Sequence, residues 1–189
     1  MTVKSVASAH ANFGAEIASW WRLNPEYSFV MLSDEDCHQF LRACCMSARR
    51  EYLAYRLLRH GAQRADLFRA IFMREIGGVY VDQDSLLRAP LRSFIPPWAS
   101  IVTSTAAPAG RGFRAAWNFN FLAFEPRCPI LEVAVRNVVA SVILQARFAC
   151  LNPVLATQVP FCVAVTCTIT ITMACKDRNK TIFLFGGSQ

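Results

Sequence analysis

"REIGGVYVDQD", residues 74–84, decides how this sequence is read. A basic amphipathic run leads into it, Gly77-Gly78 stops that run, and Val79-Tyr80-Val81 follows as a short strand. Two carboxylates one residue apart, Asp82 and Asp84, close the stretch. Alternate residues of an extended chain point the same way, so both acids are expected to face one site. Two anions at that spacing repel unless they share something positive. A hard divalent cation, manganese or magnesium, meets that need with oxygen ligands, and a diphosphate fills its remaining positions. Asp82 and Asp84 are therefore the expected metal ligands, at the carboxyl end of a strand where open α/β sheets bind ligands. Alone, a D-x-D is weak evidence, and a turn with two acids accounts for it equally well.

Working outward, the run from Arg64 to Ile76 places Phe68, Ile71, Phe72 and Ile76 at helical spacing, so that face is core. Asp66 and Arg69 are three apart and share a helical face, as a candidate site pair or as a surface ion pair. Upstream, residues 15–23 read as a helix and Tyr27–Leu32 as a strand. Ser33 caps a further helix whose first turn holds Asp34, Glu35 and Asp36, acids that fit the helix dipole better than a metal. Residues 47–59 read as a helix ended by His60-Gly61. Strands are expected at 100–105 and 118–124, with a loop at "APAGRGF" between them and a helix from Pro129 to about residue 144. Strands alternating with helices imply an α/β domain with a largely parallel sheet.

The 189 residues suffice for one core, with 54% hydrophobic and 17% charged residues, which excludes a disordered chain. The net charge of +7 is mostly arginine, a side chain suited to phosphate, although a solvated basic face explains the charge as simply. Arg49, Arg50, Arg56, Arg59 and Arg64 cluster without interleaved aromatic platforms, which argues against nucleic acid. Eight scattered cysteines form no CxxC pair and leave the redox compartment open. No signal peptide or N-terminal anchor is read in the first residues. From Phe148 to Cys175 there is no charge, but Pro153 and Pro160 interrupt the run and "TCTITIT" alternates as a strand does. The expected division is a core over residues 1–147 and an apolar, strand-like tail over 148–189, with a membrane anchor at 148–175 as the alternative.

The stretch "RADLFRAIFMREIGGVYVDQDSLLRAPL" resembles the core of glycosyltransferases that carry a DXD sugar-binding region. That group includes the initiating α-1,6-mannosyltransferases and the inositolphosphoceramide mannosyltransferases, and more distantly the glucosylating toxins of clostridia. Ala65, Asp66, Arg69, Gly77, Gly78, Tyr80, Asp82 and Asp84 carry the resemblance, with "SWWRLNPEYSFVMLSDED" upstream and "NFLAFEPRCPIL" downstream. It implies a GT-A type fold, a GDP- or UDP-sugar donor, a manganese or magnesium ion, and transfer with retention to a hydroxyl of a glycan, lipid or protein. It also implies a Golgi or other endomembrane setting. Asp82 and Asp84 would engage metal and ribose–diphosphate, Asp66 and Arg69 the sugar and phosphate, and Tyr80 the nucleotide. Asn120 would contribute from a later strand. The family's first strand, of the type Ile-Pro-Lys-Ile-Ile-His, has no counterpart here. A sheet lacking its first strand is expected, with residues 161–174 as the substitute. The alternative to an active transferase is a non-catalytic relative that holds a nucleotide or metal without turnover.

Overall fold

The computed structural model describes residues 6–44, 49–96, 99, 101–105, 117–151 and 181–185. Helix α1 covers Val6–Leu23 and breaks at Phe13, whose φ of −131° and ψ of 31° are not helical. Strand β1 is Ser28–Met31, followed by α2 at Asp34–Cys44, α3 at Arg49–Leu57 and α4 at Gly61–Ile76. Strand β2 is Gly78–Asp82, β3 is Ile101–Thr105 and β4 is Trp117–Phe124. Helix α5 spans Pro129–Leu151 and strand β5 spans Thr181–Phe185. The helix expected to end at Gly61 ends earlier, because Gly61 opens α4 instead. The capping expected at Ser33 is present: its Oγ accepts from the Asp36 N–H at 3.2 Å, and its own backbone N–H donates back to Asp36 Oδ2 at 2.8 Å. The loop 107–113 and the segment 161–174 expected as a strand lie outside the described residues.

The sheet runs in the order β1-β5-β2-β4-β3. It corrects the expectation of a largely parallel, GT-A type sheet. Strands β2, β4 and β3 form a small, open, antiparallel unit, and parallel pairing is confined to β5 against β1 and β2. The reason lies in the connections. A parallel crossover needs a covering helix, whereas the described residues between β2 and β4 contain only a 3-10 turn at Leu91–Ser93 and the strand β3. The position between β1 and β2 is filled by β5, from within the region expected as a tail.

Alternation along β2 divides the core. Val79 and Val81 face α1, packing with Ile17, Trp20, Tyr27 and Ala123. Tyr80 faces the other way, into a larger cluster with Phe68, Ile71, Leu122 and Leu131. Helix α4 is enclosed between the sheet and helices α3 and α5, which is why even Arg69 and Arg74 on it are buried. Arg74 meets this burial with three acids: Glu51 on α3 at 2.8 Å, Glu75 at 2.6 Å and Glu132 on α5 at 3.3 Å. Helix α5 is the one helix among the described residues that is long and apolar enough to cross a membrane. Its buried stripe of Leu131, Val135, Val139 and Val142 falls at i, i+4 and i+3 spacing and faces the core, while only 28% of the apolar span is buried.

Gly77 sets the angle between α4 and β2. Its φ is +70°, and a Cβ there would lie 2.6 Å from Pro126 Cδ and 2.9 Å from the Phe124 carbonyl oxygen. Gly77→Ala is expected to destabilise the fold by about 3 kcal/mol in denaturant unfolding. A change within about 0.5 kcal/mol would show that this turn does not constrain the fold.

Candidate sugar-binding site

Simple lengths bring the site together. Helix α4 descends antiparallel to β2, and the two are joined at Gly77. Arg69 lies eight residues before that joint, ~12 Å at 1.5 Å per residue. Asp82 lies five residues after it, ~16 Å at 3.3 Å per residue. The Arg69 side chain spans the remainder. Its guanidinium contacts Asp66 Oδ1 at 3.1 Å and Asp82 Oδ1 at 3.4 Å. Beneath it lies the ring of Tyr80, 4.5 Å from the guanidinium carbon. Tyr80 and Asp82, two apart on one strand, share a face, and the Tyr80 hydroxyl donates to Asp82 Oδ1.

Burial divides the roles. Tyr80 is fully buried and the Arg69 side chain is 6% exposed, whereas the Asp66 side chain is 54% exposed and that of Asp82 13%. Tyr80 therefore supports Arg69 from below, and Asp66 presents its carboxylate outward. Burial pushes the Tyr80 phenol well above its ordinary pKa, so it remains a donor. Burial also raises Asp82, against the opposing pull of Arg69 and the Tyr80 hydrogen bond, and nearby Asp84 raises it further.

Asp84 itself stands outside the strand. The Ser85 N–H donates to the Asp82 carbonyl at 3.1 Å, closing a turn over 82–85 that carries exposed Asp84. Asn120 lies on β4, one residue beyond Phe121, the partner of Val81, which sets its backbone level with Asp82. One feature was missed in the sequence, the clamp on this turn from the opposite face. Trp20 Nε1 donates to the Ser85 carbonyl at 2.6 Å, and the Leu87 N–H donates to Ser19 Oγ at 3.0 Å. The buried Asn24 accepts from the Leu91 N–H at 2.8 Å and donates to the Trp20 carbonyl at 3.0 Å. The only sequence signal was polar Ser19 and Asn24 flanking an apolar tryptophan pair.

Asp82 ends β2 and Asp84 rides on the turn after it, so the two carboxylates expected to hold manganese or magnesium lie on either side of the strand's end. No group of three or more acidic, histidine or cysteine side chains converges among the described residues. Asp82 Oδ1 is already engaged by Arg69 and Tyr80, so its charge has an internal counterion.

Residues 11–102 match the family described as "Glycosyltransferase sugar-binding region containing DXD motif". This region is thus a glycosyltransferase-family domain with a DXD region, and it contains Asp66, Arg69, Tyr80, Asp82 and Asp84. No mannosyltransferase group within that family is distinguished by the match. No curated protein matches the chain.

The raised pKa of Asp82 fixes the sign of a pH effect. Between the ordinary aspartate value and the raised one, the folded chain holds more protons than the unfolded chain, so this group's contribution to stability falls as pH rises. Asp82→Asn removes that loss. The variant is expected to gain stability relative to the parent as pH rises from the ordinary aspartate range (about pH 4) through the raised one, in parallel denaturant titrations. A difference that stays constant across that range would show that Asp82 is not desolvated.

Proposed function

We propose that this chain binds a nucleotide sugar through the edge formed by Asp66 and Asp82, held by Arg69 over the buried Tyr80, as a sugar-binding relative of the glycosyltransferases without turnover of its own. The observation that carries this reading is the buried Arg69 guanidinium bridging two carboxylates at the carboxyl end of β2, inside the region that matches the family. Carboxylates held in place by a fixed cation are strong acceptors for sugar hydroxyls, and they need no reorganisation on binding. Asp66 is the outward member and would accept from the sugar. Asp84, on its clamped turn, would lie toward the diphosphate side. Asn120 would border the same edge from β4.

Two features favour binding over catalysis. Asp82, which a metal-dependent transfer would use as a ligand, is neutralised within the protein. No group of three or more acidic, histidine or cysteine side chains converges among the described residues. Families with this motif often bind a divalent cation, and the Arg69 guanidinium supplies positive charge at the same edge. The donor would be a GDP- or UDP-sugar. An acceptor glycan, lipid or protein and an endomembrane setting belong to the same family-based reading.

A thermal-shift panel of UDP- and GDP-sugars tests this. One nucleotide sugar is expected to raise the melting temperature, and the rise should persist in EDTA. Asp66→Asn should weaken that ligand by roughly tenfold, the cost of one charge-assisted hydrogen bond. A shift that appears only with manganese would mean that the Asp82–Arg69 pair opens to admit an ion. Robust sugar transfer by the purified chain would overturn the non-catalytic reading.

A further inference from the structure

The arginine cluster on α3 plays no part in the sugar-binding edge. At 100° per residue, Arg50, Leu53, Arg56 and Leu57 fall within an arc of about 120° on this helix. Ala54 and Tyr55 lie outside that arc and are buried in the core, at 0% and 1% exposure. Leu53 and Leu57 are 48% and 39% exposed, and Arg50, Arg56 and the following Arg59 are exposed as well. The one acid on the helix, Glu51, turns inward to Arg74 at 2.8 Å. Tyr52 turns to α2, where its hydroxyl accepts from Arg42 Nε at 3.2 Å. The outward arc therefore carries positive charge and leucine, with no acid to offset it. Arg50, Arg56 and Arg59 make no ion pair among the described residues.

We propose that this face of α3 docks on an anionic lipid bilayer surface. Arginines interleaved with two leucines on one arc match an interface that is negatively charged outside and apolar just beneath. Leucine fits that partner better than nucleic acid. A phosphate backbone offers nothing to Leu53 and Leu57, and the one aromatic ring beside the arc, Tyr52, is engaged by Arg42. The helix lies in the surface plane in this arrangement, with its buried side still on the core.

The full chain is tested by co-sedimentation with vesicles of phosphatidylcholine alone and of phosphatidylcholine mixed with phosphatidylserine. Binding is expected only to the mixed vesicles, and it should weaken as salt is added. Arg50→Gln, Arg56→Gln and Arg59→Gln should each lower it about fivefold. Leu53→Gln and Leu57→Gln should lower it several-fold. All five side chains are exposed, so the melting temperature should stay at the parent value. Arg92→Gln, whose residue pairs with Glu26 elsewhere, should bind as the parent does. Absence of binding, equal binding to both vesicle types, or leucine variants that bind like the parent would each overturn the proposal. So would capture of a short single-stranded RNA in preference to the mixed vesicles.

Discussion

A buried guanidinium is costly unless its charge is met, and that constraint organises one face of this protein. Arg69 sits on a helix enclosed by the sheet and by two further helices, so water does not solvate it fully. Asp66, Asp82 and the face of Tyr80 do so instead. Each of those contacts needs α4 and β2 at one relative height, and Gly77 is the joint that sets it. The same arrangement places two carboxylates at the end of a strand with their positions fixed before any ligand arrives. Fold and site thus depend on one residue, and the second buried arginine, Arg74, repeats the solution further along the helix with Glu51, Glu75 and Glu132.

Much of this was legible in the sequence. Periodicity located the α4 and β2 elements and the turn between them, and Ser33 was correctly read as a cap. Spacing put Asp66 with Arg69 and Asp82 with Tyr80 on shared faces, but it gave no depth. The Asp66–Arg69 pair read equally well as a surface ion pair. Only the packing of α3 and α5 over α4 shows that Arg69 is buried. The sheet's direction was misread because alternating strands and helices suggest parallel crossovers. The signal against them was the absence of a helical pattern between residues 85 and 117. The placement of β5 between β1 and β2 is a long-range pairing that no local pattern encodes.

Asp82 and Asp84 play unequal parts. Asp82 is tied into the protein by Arg69 and Tyr80, whereas Asp84 rides on an exposed turn held from behind by Trp20. A spacing argument treats them as equivalent ligands of one ion. The geometry separates an acid whose charge is satisfied internally from one whose charge faces outward.

The account rests on Arg69 and Asp82 acting as a coupled pair, and a double-mutant cycle measures that coupling directly. Arg69→Gln alone should destabilise the fold by roughly 3 kcal/mol, because it leaves a buried carboxylate without its cation. Adding Asp82→Asn should recover much of the loss, giving a coupling energy of about 1.5 kcal/mol or more. Effects that add to within about 0.5 kcal/mol would contradict the account, since the guanidinium would then be held by something other than the acids it contacts.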